Sequence, residues 1–393
     1  MANEIIGRVH NVGLGKESTA GTAVSATDWL PKTEGVLMAH FEVAEDPSSH
    51  GVIDGVKQVS TTKTWTEVEM EGILQDNMFG HLLLAAFGLE YSCVRFPVSG
   101  GSGTFTEGET VTESTSSATG VLRRTDQSAG TPVLYIAPAT GTFTGGQTLT
   151  GGTSGATKTG GTIESPSAVR SHIFRRANTN THQSYTLYGK DLVSDDRAAY
   201  CILDMLEINA AVGDFTKFKA KWMGKVLSST SSTATYSSQY PFVVKSATFK
   251  TAADHNSLDA ASAVSIERLR LTIEKNVEPY YAFGSASPST LHNRQFIVRG
   301  DFDMLYNEIT TRDLLTNSSN KALRLTVTNA TTIGSATNPT IQFDIPVAGF
   351  SDWGRSPGND DLMRQTIGFV ATYDLTRALS IEAFLTNTKT AAY

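Results

Sequence analysis

Gly13-Leu14-Gly15-Lys16 sets two glycines ahead of a lysine, the residue types of a loop that cradles phosphate. That loop requires G-x-x-x-x-G-K followed by Ser or Thr, so that backbone amides, the ammonium and a hydroxyl converge on phosphate and metal. Here Glu17 follows the lysine and the first glycine would fall at His10, so the pattern reads as a Gly-rich arm instead. None of the eight histidines, which run from His10 to His292, has a partner at the close spacing of a helical or loop metal site. Gly151-Gly152-Thr153-Ser154-Gly155 has only the look of a nucleophile elbow. Asp195-Asp196, Asp360-Asp361 and the Asp301/Asp303 pair could each supply half of a glycoside-cleaving carboxylate pair. Strand alternation puts Asp301 and Asp303 on one face, but the sequence names no partner for them. The expectation is a chain with no catalytic residues, no cofactor and no metal.

The carboxylates of most interest are Glu67, Glu69 and Glu71. Side chains alternate faces along a strand, so these three point one way and Thr66, Val68 and Met70 the other. Three like charges on one face repel each other, so that face must be wet. It is either an ordinary solvent face or the wall of a channel that keeps a polyanion from sticking.

The elements around these residues are β-rich. A hydrophobic fraction of 39% and a charged fraction of 18% support a real core across 393 residues. The net charge of −7 and the small size of basic clusters such as Arg175-Arg176 argue against sequence-specific DNA binding. Cys93 and Cys201 read as two partly buried thiols rather than a disulfide, because Met1 to Val12 lacks the pattern of a secretory signal. The longest apolar run, Leu82 to Phe87, is far below the roughly 20 residues a membrane span needs.

Gly13 to Asp28 reads as an extended or mobile arm. Val36 to Val43 and Val56 to Gly72 read as strands, and residues 74 to 88 switch to helical spacing with Gly88 as C-cap. Residues 99 to 163 are dominated by Gly, Thr and Ser and carry a repeat: Gly103 to Thr112 (GTFTEGETVT) recurs as Gly141 to Thr150 (GTFTGGQTLT). This predicts a small inserted β module, with Phe105, Phe143, Leu134 and Tyr135 as its core. Strands are expected over 184–189, 200–212, 215–226, 242–250, 264–277, 296–305, 323–328, 341–350, 363–373 and 379–385, and a short helix over 307–315. A strand leading into a helix, then further strands, occurs once in each half, which suggests a tandem duplication. The divisions are an N-terminal arm (1–30), a first half (31–93 and 173–230), the insertion (94–172) and a second half (231–393).

Several stretches resemble the larger tail tube proteins of long-tailed bacteriophages. They are Gly13 to Thr22 before Trp29-Leu30-Pro31, Glu71 to Asp76 leading to Leu82 to Gly88, Ser184 to Tyr188 followed by Cys201 to Ile208, and Asp374-Leu375 through Asn387 to Tyr393. The resemblance implies a mainly β barrel or sandwich with a flanking helix, stacked as rings into a hollow tube in the virion tail. It implies rings of three chains with pseudo-sixfold symmetry if the fold is duplicated, or of six if not. Implied partners are the chain itself and the tail tip, tail terminator and tape measure proteins, with DNA passing through unbound and the subunit held in the host cytoplasm before assembly. In this frame Glu67, Glu69 and Glu71 are candidate channel-lining residues, and Gly13, Gly15, Gly21 and Asp28 mark a candidate inter-ring arm. The competing classes are a capsid decoration or tail completion protein, a surface adhesin holding glycans, and a β-rich glycan hydrolase.

Overall fold

The computed structural model describes residues 7–31, 33–48, 51–126, 132–164, 168–307, 309–356 and 362–393. The Asp360-Asp361 pair and the first six residues of the N-terminal reading lie outside them. The chain is mainly β, with 55% strand and 7% helix.

Strands β1 (Asn11–Lys16), β2 (Asp28–Leu30), β3 (Glu34–Asp46) and β4 (Gln58–Ile73) lead into α1 (Asp76–Phe87) and β5 (Gly88–Ser102). Along β4, Thr66, Val68 and Met70 are buried while Glu67, Glu69 and Glu71 face out, as the alternation requires. Helix α1 is buried over nearly its whole length. It ends at Gly88, whose φ of 82° is the left-handed conformation a C-cap needs, and whose N–H donates to the Leu84 carbonyl.

The insertion adds β6 (Thr110–Glu113), β7 (Thr119–Asp126), β8 (Val133–Thr140), β9 (Thr148–Gly151) and β10 (Thr157–Gly160). Together with the distal part of β5 they close into a six-stranded barrel in the order β5-β10-β9-β6-β7-β8 and back to β5. Closure removes the free edges that such short strands would otherwise expose. The repeat is visible in three dimensions. Gly103 and Gly141 both have positive φ, of 75° and 69°, and each lies against the alanine of the other copy, Ala156 and Ala118. Phe105, Phe143 and Leu134 join the barrel core. Tyr135 does not. It points out of the barrel and packs edge-to-face on Phe384 at 4.8 Å, because neighbouring strand residues take opposite faces.

The chain returns through β11 (Arg170–Arg176), β12 (Tyr185–Lys190), β13 (Asp195–Ala211), β14 (Lys217–Gly224) and β15 (Leu227–Ser229). It continues with β16 (Ala247–Ala252), β17 (Ala263–Val264), β18 (Arg268–Glu274), β19 (Val277–Tyr280), β20 (Thr290–Asn293) and β21 (Ile297–Leu305). Helix α2 (Thr310–Thr316) precedes β22 (Lys321–Thr328), β23 (Thr340–Ser356), β24 (Arg364–Ala371) and β25 (Glu382–Asn387). Two strands run longer than expected. β13 starts before Tyr200, where a positive φ of 55° bends the strand from its pairing with β12 into its pairing with β14. β23 runs past Phe350 through a register shift that carries it from β22 and β25 onto β24.

Eight strands form one antiparallel wall in the order β3-β4-β14-β13-β18-β21-β24-β23. One face of this wall supplies Val68, Met70, Leu206, Ile208, Leu271, Ile273, Phe302 and Phe369 to the main core. α1 and the second layer (β5, β11, β25, β22, β16) cover that face. The other face of the wall is solvated.

Candidate functional site: the solvated wall and the elements that brace it

Directly paired residues of neighbouring strands share a face, so the register fixes what surrounds the three glutamates. Glu71 and Glu69 lie opposite Lys219 and Lys221 of β14, and Glu67 lies opposite Met223. Lys221 Nζ sits 2.5 Å from Glu69. The hydrogen bond from Lys221, only partly opposed by desolvation, lowers the Glu69 pKa below the usual carboxylate value. Glu67 accepts from Trp65 Nε1 at 3.0 Å, and His40 Nε2 lies 3.7 Å away. Farther along the wall, Arg268 bridges Asp301 (2.6 Å) and Asp303 (2.7 Å), and Arg270 reaches Asp301 at 2.8 Å. The face is therefore wet, as expected, but it is not a uniformly acidic stripe. Lysines on the next strand, invisible from β4 alone, compensate part of the charge, while Glu34 of β3 lies opposite Glu71 and Glu207 of β13 opposite Lys219. Asp301 and Asp303 share a face and are held by arginines, with no third carboxylate opposite them in β18 or β24.

The segment read as a mobile arm is extended but docked. Gly13 and Gly15 lie within β1, which pairs with β12 and β2. A methyl at Gly13 would press on the Trp29 ring at 2.9 Å, and one at Gly15 would overlap the Ser25 carbonyl, so both positions need glycine for close approach. Gly21 has a φ of 81° in a bend. The bend is held by Glu17, the residue that broke the phosphate-loop pattern. Its buried carboxylate accepts from Gly21 N, Ser184 Oγ, Thr186 Oγ1 and Tyr200 N, each at 2.8 Å. Asp28 lies 3.0 Å from His81 and 3.5 Å from Lys389. Burial would raise its pKa, but the His81 hydrogen bond and the charges of His81 and Lys389 hold it well below the carboxylate range. His81 itself is pushed down by burial, an effect Asp28 only partly offsets.

Three further buried groups gave no sequence signal. Arg124 of the barrel reaches Asp344 at 2.9 Å and Glu382 at 3.2 Å, and Arg324 holds the other side of Asp344 at 2.7 Å. This pins the barrel on the second layer. Lys275 is buried with its Nζ on the Ala85 carbonyl near the C-terminus of α1, and desolvation lowers its pKa to about 7. Asp76 is fully buried at the start of α1. Cys93 and Cys201 are both buried free thiols. Among the described residues no cluster of three or more His, Cys, Asp or Glu could hold a metal ion, and no helix is long and apolar enough to cross a membrane.

A wide, solvated β wall with paired charges and a separately closed barrel define a mainly β structural protein. The model of the phage tail tube protein family matches residues 7–371, so this chain belongs to that family, whose members are structural components of the virion tail. No curated protein matches the chain.

Proposed function

We propose that this chain polymerises as stacked rings into a hollow tube through which the phage genome is delivered, and that each ring holds three chains with pseudo-sixfold symmetry. The observation that carries this reading is the strand order of the wall. β3-β4-β14-β13 and β18-β21-β24-β23 are the same four-strand arrangement, each with a helix after its second strand, joined through the β13–β18 pair. At the two ends, β3 pairs only with β4, and the Gly349–Ser356 part of β23 pairs only with β24, among the described residues. Long free edges invite pairing with another chain. If β23 of one copy meets β3 of the next as β13 meets β18 within the chain, a head-to-tail contact closes into a ring.

The solvated face of the wall is then the channel lining, with Glu69 and Glu71 opposite lysines and Glu67 beside Trp65 and His40. A lining whose charges are mutually paired offers DNA little to hold. Stacking falls to the hairpins that link the first two strands of each run. The β3–β4 hairpin exposes Phe41 and Val43, and the β19–β20 hairpin exposes Tyr280 and Phe283. The two hairpins touch through Thr64 N and the Ala286 carbonyl at 2.8 Å, so they share one rim. The inter-ring role of the Gly13–Asp28 segment narrows to its exposed bend around Gly21, since β1 is held within the chain. Tail tip, tail terminator and tape measure proteins are the further partners, the host cytoplasm is where the subunit waits, and no step requires catalysis.

Electron microscopy of the purified protein at rising concentration tests this. Uniform hollow tubes whose rings contain three chains are expected. Rings of six chains would overturn the trimer, and a protein that stays monomeric even when seeded with tail tips would overturn the tube.

A further inference from the structure

The chain carries a second surface feature on the side of the second layer away from the wall. Between the barrel and the sheet of β16, β22, β23 and β25 lies an open cleft of about 380 Å3, near the lower end of the roughly 300–1,000 Å3 typical of small-ligand pockets. Its floor is a flat sheet face. In β22, Leu323, Leu325 and Val327 turn into the main core, which leaves Arg324, Thr326 and Thr328 on the cleft side. Cross-strand pairing sets Thr326 between Thr248 and Gln342, and Thr328 opposite Thr340. Between Arg324 and Lys250 the floor is therefore an array of threonine hydroxyls, each able to donate and to accept, while the Gln342 amide is engaged by Thr326 and Asp344. At the back, the edge of the Tyr135–Phe384 pair forms a small apolar step.

The charges at the rim are not balanced as those of the wall are. Arg324 is already engaged by Asp344 and Asp259. Among the described residues, neither Arg95, on the barrel, nor Lys250, on the floor, forms an ion pair with a carboxylate. Lys250 Nζ rests on the backbone carbonyls of Leu258 and Asp259, at 3.4 and 3.1 Å. Asp126 is the one carboxylate in the lining. The cleft is also held open at a fixed width. Arg124 bridges barrel to floor on one side. On another, Glu164 accepts from the backbone N–H groups of Ser335 (2.8 Å) and Ala336 (2.6 Å). A pocket that is preformed in this way spends little binding energy on ordering itself.

We propose that this cleft binds a short, negatively charged sugar: the threonine floor pairs with the ring hydroxyls, and Arg95 and Lys250 hold the acid group. A neutral sugar would make no use of the excess of cationic over anionic side chains in the lining. A bare inorganic anion would leave the floor unanswered. The assignment does not depend on the tube reading, which adds only that the cleft opens on the outer side of the tube, where a host-surface glycan could reach it.

Saturation-transfer NMR with glucuronate and with glucose, on the full chain, tests the proposal. Glucuronate is expected to bind saturably and at least tenfold more tightly than glucose. Arg95→Ala, and independently Lys250→Gln, should weaken it at least tenfold while circular dichroism and tube formation stay unchanged. Arg95 and Lys250 are partly exposed at the rim, and neither is in the main core. No saturable glucuronate binding, equal binding of glucose, binding unaffected by both substitutions, or equally tight binding of inorganic phosphate would each overturn it. Because tube formation is scored separately in the same samples, failure of the cleft assignment and failure of the tube assignment are distinguishable.

Discussion

Single residues set where this fold is sensitive to pH, and Asp76 is the clearest case. It is fully buried at the first turn of α1. One carboxylate oxygen accepts from Tyr240 N at 2.8 Å, and the other has no hydrogen-bond partner among the described residues. Burial raises its pKa to about 6, against the pull of the Tyr240 and Asn77 backbone N–H groups. A carboxyl whose folded pKa lies above its unfolded value binds more protons when folded between the two. Its contribution is therefore fully present below about pH 4 and is lost as pH rises through about 6, by about 3 kcal/mol at most. Asp76→Asn keeps the acceptor for Tyr240 and removes the titration. Urea unfolding from pH 4 to 7 should show the wild type losing stability relative to the variant across that window. Parallel curves would refute the assignment. Burial of Asp76 was not legible in the sequence, where it reads as an ordinary helix-opening aspartate. The same is true of Glu17, whose four hydrogen-bond partners lie up to 183 residues away.

Elements were more legible than residues, for a physical reason. Alternation along β4 and helical spacing through α1 are local patterns, and both were readable from one stretch of chain. The repeat in the insertion likewise announced a β module. What local pattern cannot carry is the neighbour across the sheet. The lysines of β14 turned an apparently acidic stripe into a partly compensated one, and the docking of β1 on β12 turned an apparent arm into a strand. The C-terminal segment is another such long-range element. Tyr393 is buried against α1, with its hydroxyl donating to the Asn77 carbonyl at 2.7 Å and its N–H to Glu90 at 2.8 Å. Gly80 makes room for it, since a methyl there would overlap the Tyr393 ring. Gly80→Ala should therefore destabilise the chain by about 2 kcal/mol through overpacking, although alanine favours a helix interior by about 1 kcal/mol. In a Tyr393→Ala background the same change should become neutral or slightly stabilising. A double-mutant cycle by thermal or urea unfolding reads this coupling, and additive effects would show that Tyr393 does not occupy the space over Gly80.

For the whole molecule, the question is whether the wall faces the genome, and its charge balance offers a test. Exposed pairs such as Glu69–Lys221 contribute roughly 0–1 kcal/mol each to stability, so removing them leaves the fold in place and isolates the effect of charge. Replacing Glu67, Glu69 and Glu71 together by glutamine keeps size and hydrogen bonding but takes from Lys221 its partner Glu69 and from Lys219 one of the two carboxylates opposite it, with Glu207 remaining. The folded chain and its tubes should survive with little loss. Threefold repetition in each ring would then line the channel with bands in which Lys221 has lost its ion-pair partner, and phosphate neutralisation with counterion release would hold a polyanion there. Tubes of the triple variant should retain short duplex DNA at about 50 mM salt and release it by about 200 mM, while wild-type tubes retain little at either. DNA retention that is the same in both tubes would place the glutamates away from the channel. Loss of tubes with an intact fold would place them in a subunit contact instead. In either case the repeated four-strand order within the chain would still stand, and the search for the lining would move to the β18–β21 half of the wall, where Arg268 and Arg270 are matched to Asp301 and Asp303.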